Sequence, residues 1–259
     1  MTDTQLSNAV PLLEFDPSPN AVLEPTKVIR SIDIAPHAVI CFFQEVITTL
    51  VEHHQARILK QLRSEIGRHP VYEVDVDGRR LAVFHPGVGA PLAVAMLEEV
   101  IALGCSRFIA CGGAGVLDSA LAVGHVIVPK AAVRDEGTSY HYLPASREVS
   151  ASPAAVAAIE QVLQSHQVQY LVANTWTTDA IYRETPQKVQ SRRAEGCLTV
   201  EMEAAAFFAV AQYRQVTLGQ LLYCGDDVAA SEWNSRKWSS HASVREKLFW
   251  LAAEACLQL

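Results

Sequence analysis

The run Val200-Glu201-Met202-Glu203-Ala204-Ala205-Ala206 sets two carboxylates at the mouth of an alanine-rich, apolar segment. Glu is seldom buried without a partner. A helix starting here offers one, through its orphan N–H groups and the positive end of its dipole; acids decorating an exposed first turn are the competing reading. A second acidic pair, Asp226-Asp227, follows Gly225 at the end of the apolar run Leu221-Leu222-Tyr223-Cys224. A carboxyl leaving a buried strand into a cleft loses hydration, so its pKa rises and it can serve as a general acid. A turn or N-cap Asp is the plainer alternative. Two glycine-rich stretches complete the set. Gly87-Val88-Gly89 could bring backbone N–H groups to an anion such as phosphate. Gly112-Gly113-Ala114-Gly115, read as a turn at a strand end, leaves room for a flat ring or a sugar, or simply closes tightly.

These groups need elements to hold them. Residues 71–76 and 80–85 read as strands joined at Asp77-Gly78, a hairpin dipeptide that favours positive φ. Residues 81–84, the Gly87-Val88-Gly89 turn and residues 92–103 then form a strand, turn and helix, and 107–111 followed by 112–115 begins a second such unit. Further strands are expected at 125–128, 170–173, 198–200 and 218–224, with helices at 38–62, 153–166, 203–213 and 243–259. Alternating strands and helices imply an α/β fold with a mixed, largely parallel central sheet between helical layers. In such sheets ligands sit beyond the carboxyl ends of the strands, which is where Gly87-Val88-Gly89, Gly112-Gly113-Ala114-Gly115 and Gly225-Asp226-Asp227 are expected to fall. Residues 1–36 carry Pro11, Pro17, Pro19, Pro25 and Pro36, and read as an extended or meandering arm, with a neighbouring chain as one place for it to pack. One domain over 1–259 is the expectation from length.

Composition narrows the function. A formal charge of −7 gives no footprint for nucleic acid or an anionic membrane. No signal-peptide pattern opens the chain and no stretch of about eighteen apolar residues follows, so a cytoplasmic location is expected. Six scattered cysteines without a C-x-x-C pair suggest neither zinc nor disulfides, and His53-His54 lacks the spacing and acidic partner of a metal site. Trp233 and Trp238 read as a lid over the site or as a packed surface loop.

Taken in order, the HPGVGAP turn, the block from Ala110 to Pro144, the TTDAIY segment and VEMEAAA resemble the nucleoside phosphorylase family, which includes uridine phosphorylases, purine nucleoside phosphorylases and methylthioadenosine nucleosidases. The resemblance implies a three-layer fold and a homo-oligomer, dimer or hexamer. It also implies cleavage of a nucleoside's N-glycosidic bond with phosphate as co-substrate and no other cofactor. It makes Glu203 the carboxylate on the ribose hydroxyls, with Met202 against the sugar and Glu201 beside it, and Asp226 the acid that protonates a purine. Ile181 and Tyr182 would line the base pocket, and Gly112 and Gly113 would border the substrate. Two departures stand out: where the family carries Arg and then Ser or Thr to grip phosphate, this chain has Ala110 and Gly113, and no Gly-Asp-Pro phosphate loop is visible near Asp33. Arg30, Arg57, Arg134 or a neighbouring subunit would have to supply the cation, and water in place of phosphate, or nucleoside binding without turnover, are the alternatives. The uracil-reading Gln and Arg are replaced by Arg183, Thr185, Gln187 and Lys188 in another spacing.

Overall fold

The structure is a computed structural model that describes residues 8–230 and 232–259. Its elements run α1 (Pro25–Val28), β1 (His37–Cys41), α2 (Gln44–His53), β2 (Arg57–Ser64), β3 (Gly67–Val76), β4 (Arg79–Phe84), α3 (Ala90–Leu103), β5 (Arg107–Val116) and β6 (Val126–Asp135). They continue through β7 (Glu148–Ser150), α4 (Pro153–Ser165), β8 (Tyr170–Thr178), α5 (Pro186–Ala194), β9 (Cys197–Glu201), α6 (Ala204–Arg214), β10 (Thr217–Asp227) and α7 (Ala242–Leu257). All ten strands share one mixed sheet, in which β1, β4, β5 and β10 form the parallel centre.

Helices cover both faces. α3 and α6 pack on one side around Leu97, Phe108, Phe207 and Phe208, all essentially without exposure. α2, α4 and α7 pack on the other around Phe43, Ile109, Tyr223 and Phe249. The alanines of α6 are completely buried, and their small size lets the helix lie close over the strands. Asp77 and Gly78 have φ of 52° and 78°, the paired positive values of a tight hairpin turn, and β3 and β4 pair on either side of them as expected. No described helix is long and apolar enough to cross a membrane.

Two expectations are corrected. The helix over 38–62 divides into β1, α2 and the start of β2. Ala38-Val39-Ile40 is a short apolar run whose periodicity cannot separate a buried strand from a helix, and pairing with both β4 and β5 decides for the strand. The glycines at 112–115 form no turn: they lie inside β5, as Gly225, Asp226 and Asp227 lie inside β10. At these glycines β5 changes partners, from β1 along 107–111 to β9 at Gly115 and Val116, while β10 follows it throughout. The sheet thereby curls on itself, and β5, β10, β6, β8 and β9 close a ring. A strand bending between two sheet directions needs residues that tolerate close backbone neighbours.

The first seven residues of the arm lie outside the described ones. Its later part touches its own chain: Arg214 of α6 bonds Glu24 at 3.4 Å and buried Glu98 of α3 at 2.7 Å, and Ile29 and Ile32 join the α3–α6 core.

Candidate active site

Glu201 ends β9 and Glu203 stands at the N-cap of α6, with a backbone (φ −138°, ψ −29°) outside the helical region. One oxygen of Glu201 accepts the N–H groups of Glu203 and Ala204 at 2.7 and 2.6 Å; the other accepts the Thr177 hydroxyl at 2.6 Å. Thr177 Oγ1 in turn accepts the Ala205 N–H at 2.9 Å. Glu201 is thus the helix cap, working from a strand end through a threonine on β8. Replacing Thr177 with Val leaves the Ala205 N–H and a Glu201 oxygen buried and unpaired, at an expected cost of about 1–3 kcal/mol. Urea denaturation checks this: Thr177→Ser should recover the loss, and a Val variant as stable as the parent would contradict it.

Glu203 faces the other way. Its Oε1 accepts the Gly89 N–H at 2.6 Å and its Oε2 the Met202 N–H at 3.3 Å. The glycine turn and the acidic run, 114 residues apart in the chain, meet here. Gly89 has φ of 89°, a conformation that suits glycine, and it opens α3 as its N-cap. The Gly87 N–H bonds His85 Nδ1 at 3.0 Å. Both amides expected to meet phosphate are therefore engaged with side chains of the chain itself.

Burial dominates the electrostatics. It pushes the Glu203 carboxyl up to about 8, helped by the charge of Glu201 and opposed by the Gly89 and Met202 amides. Burial likewise raises Glu201, against the pull of Thr177 and the two α6 amides. Two carboxyls this close do not both ionise readily at neutral pH, so the pair holds a proton. A ligand that offers hydroxyl donors to Glu203 would release it.

The other acid lies on β10. A Cβ added to Gly115 would stand 3.6 Å from Asp226 Oδ1 and 3.1 Å from Val200 Cγ1, so Asp226 lies over the end of β5, beside the strand that delivers Glu201. Trp233 Nε1 donates to Asp226 Oδ2 at 2.7 Å while its ring stays 65% exposed, which makes it a cover over the acid. Trp238 instead packs into the α7 core, where Tyr223 donates to its carbonyl at 3.0 Å. Asp227 is structural: although burial opposes it, bonds from Ser119, the Ala229 amide and Arg236 hold its carboxyl below the ordinary value.

Other expected residues are placed differently. Gly112 and Gly113 lie beneath aromatic rings, where an added Cβ would meet Phe42 at 3.1 Å and Tyr223 at 3.0 Å. Ile181 and Tyr182 stand on a 3₁₀ turn and are 48% and 93% exposed, so within one chain they enclose nothing. Lys188 and Thr185 serve the fold, as a partner of Asp135 at 3.1 Å and as the cap of α5. Arg134 donates to Ser139, Leu143, Pro144 and Ser146, Arg57 pairs with Glu73 at 2.7 Å, and Arg30 is exposed ahead of β1.

Sequence reading missed five residues. Thr177 sits two residues before Asp179 in an otherwise ordinary strand. Arg68 and His85, with His69, line a cavity of about 440 Å³ bordered by Gly87 and Val88. Glu184, just after the 3₁₀ turn, has its carboxyl raised to about 7 by burial and by Asp226. The only signal for Glu184 was an acid just beyond the matching TTDAIY segment.

Known proteins resemble this chain in the same regions. Residues 36–250 match the sequence profile of the Phosphorylase superfamily. Guanosine phosphorylase of Halorubrum lacusprofundi is 29% identical over 191 residues, covering 72% of this chain and 77% of that protein. Uridine phosphorylase of Thermococcus kodakarensis is 31% identical over 121 residues, 46% of this chain and 44% of that one. Among solved structures, uridine phosphorylase from Vibrio fischeri ES114 superposes with a TM-score of 0.75 at 22% identity, covering 89% of this chain and 95% of its own. Purine nucleoside phosphorylase from Toxoplasma gondii gives 0.72 at 20% identity, with coverages of 87% and 92%. At these structural identities the likeness is one of fold.

Proposed function

The chain belongs to the phosphorylase superfamily, and from that premise we propose that it cleaves the N-glycosidic bond of nucleosides with phosphate, giving free base and (deoxy)ribose 1-phosphate. The observation that carries this reading is the meeting of the buried Glu203 carboxyl with the Gly89 turn, and Asp226 supports it from over the end of β5 under Trp233. A phosphate oxygen attacks C1′ as the C1′–N bond breaks, and positive charge builds on the sugar ring. Glu203, accepting the ribose 2′- and 3′-hydroxyls with Met202 against the sugar, stabilises that charge. Asp226 donates its proton to the departing base, which takes the bonding electron pair.

Phosphate needs a cation. Ala110 and Gly113 supply none, and among the described residues that line the 440 Å³ cavity beside the glycine turn the cation is Arg68, with His69 next to it and His85 held below its ordinary pKa by burial. We place phosphate against that cluster. Ile58 and Ile66, exposed at and beside the outer strand β2, support assembly into a homo-oligomer, dimer or hexamer. The chain acts in the cytoplasm on this reading, and no cofactor enters it.

Base release, followed by chromatography in phosphate-free and phosphate buffers, tests the proposal. Release is expected to require phosphate, with sugar 1-phosphate visible by phosphorus NMR. Full activity without phosphate would overturn phosphorolysis in favour of water as the nucleophile. That second reading draws on Tyr223, whose ring covers Gly113 where the resemblance calls for an anion grip.

A further inference from the structure

The segment after β10 folds back and grips both acids at the strand's end. Asn234 pairs with Asp227 as an antiparallel bridge: the Asp227 N–H donates to the Asn234 carbonyl at 2.8 Å, and the Asn234 N–H donates to the Asp227 carbonyl at 3.1 Å. Arg236 donates to the Asp227 carboxylate, to the Leu121 carbonyl at 2.6 Å and to the Ser119 carbonyl at 3.2 Å. One guanidinium, 14% exposed, thus ties the segment to β10 and to the loop between β5 and β6. Arg236 and Lys237 both take left-handed backbone, φ 47° and 51°, which residues with a Cβ keep only where their surroundings over-determine it. Trp233, at the start of this clasp, donates its indole N–H to Asp226 Oδ2 at 2.7 Å. Its ring is largely exposed, so the N–H bond rather than packing accounts for its place.

We propose that Trp233 is a positioning residue of the acid, assigning the transferable proton to Asp226 Oδ1, and that Arg236 acts through it by holding the clasp in register. The proposal rests on the nucleoside-cleaving reading above. A protonated carboxyl has one O–H and one oxygen left to accept, and an indole can only donate. The Trp233 N–H therefore claims Oδ2 as the acceptor, and the proton stands on Oδ1. That oxygen lies over the end of β5 beside Gly115, where a Cβ would come within 3.6 Å of it, so the missing side chain leaves room in front of the proton. The departing purine takes the proton from Oδ1 on a ring nitrogen and keeps the electron pair of the broken C1′–N bond. The carboxylate left behind accepts the same indole N–H, now in a charge-assisted bond, and such bonds are about twice as strong as neutral ones. Trp233 thus favours Asp226 after the transfer over Asp226 before it, which is the condition for speeding the step.

The test is steady-state kinetics on inosine and on a nitrophenyl riboside, whose leaving group needs no proton, with thermal melts as a check on folding. It compares the parent, Trp233→Phe, Arg236→Gln, Arg236→Lys and the double variant Trp233→Phe/Arg236→Gln. Trp233→Phe is expected to lower kcat for inosine by ~10-fold or more, as the loss of a hydrogen bond to a charged group does, with KM little changed. The inosine-to-nitrophenyl ratio should fall by the same factor. Arg236→Gln should reproduce that pattern and Arg236→Lys recover part of it, while the double variant should be no slower than the worse single one, since both changes remove one interaction. Trp233→Phe alters an exposed ring and carries the test by itself if the Arg236 variants do not fold. Equal losses on both substrates, a rise in KM alone, or losses that add in the double variant would overturn the assignment while leaving nucleoside cleavage intact. If the parent cleaves neither substrate, the function reading fails and the Trp233 indole proton, followed by NMR, decides the inference alone. Slow exchange with water in the parent that becomes fast in Asp226→Ala and Arg236→Gln supports the clasp, and fast exchange in the parent sinks it.

Discussion

Replacing Glu203 with Gln is expected to cut nucleoside cleavage by ~10²–10³-fold, the scale on which removing one charge-stabilising group slows a reaction, and yet to make the ligand-free protein more stable at pH 8. Both effects come from the same carboxyl. Glu203 is 6% exposed, and burial together with Glu201 raises its pKa from 4.5 to about 8. Below pH 4.5 the folded and unfolded chains both hold the proton, and the stability associated with this group is fully present. As pH rises towards 8 the unfolded chain has released the proton while the folded chain retains it, so folding loses stability across that window. Gln cannot ionise, keeps an oxygen for the Gly89 N–H and escapes the loss. Several kcal/mol are at stake at ~1.4 kcal/mol per pKa unit, so a rise in Tm of about 5 °C or more is expected at pH 8. At pH 5 the two proteins should melt together. Thermal melts at the two pH values, beside steady-state kinetics, decide it. An offset in Tm that is the same at both would mean that the carboxyl is not the source.

Asp226→Asn is expected to slow purine nucleoside cleavage by ~10²–10⁴-fold, the usual contribution of a positioned acid. Uridine cleavage should fall far less, because uracil spreads the departing charge over two carbonyls and leaves without that proton. Asn retains an oxygen to accept the Trp233 indole N–H, so the cover is kept and the change is confined to proton donation. A nitrophenyl riboside, whose leaving group needs no proton, separates chemistry from binding: the variant should cleave it at close to the parent rate. Equal losses on purine, pyrimidine and nitrophenyl substrates would count against the acid role.

Much of this site was legible because its signals are local. Glu201, Met202 and Glu203 lie within three residues, and the apolar alanine run after them reads as a helix whose burial would call for a cap. Asp226 was legible for a similar reason, as a charge at the end of an apolar strand. The division of labour between Glu201 and Glu203 was not legible. It depends on Thr177 and Gly89, which approach from β8 and from the β4–α3 turn. The glycines at 112–115 misled because glycine signals a turn in the same letters that mark a crowded strand, and only Phe42, Tyr223 and Val200 reveal the crowding.

The sequence by itself determined which chemical groups are present, the alternation of strands and helices, and the hairpin at Asp77-Gly78, since each follows from side-chain type and spacing along a few residues. Only the tertiary structure decided which carboxyl caps α6 and which faces the glycine turn, and that Arg134 is committed to its own loop. Those outcomes depend on burial and on donors brought from distant strands, and neither desolvation nor a hydrogen bond across the closed β5–β10–β6–β8–β9 ring is encoded in any one stretch of chain.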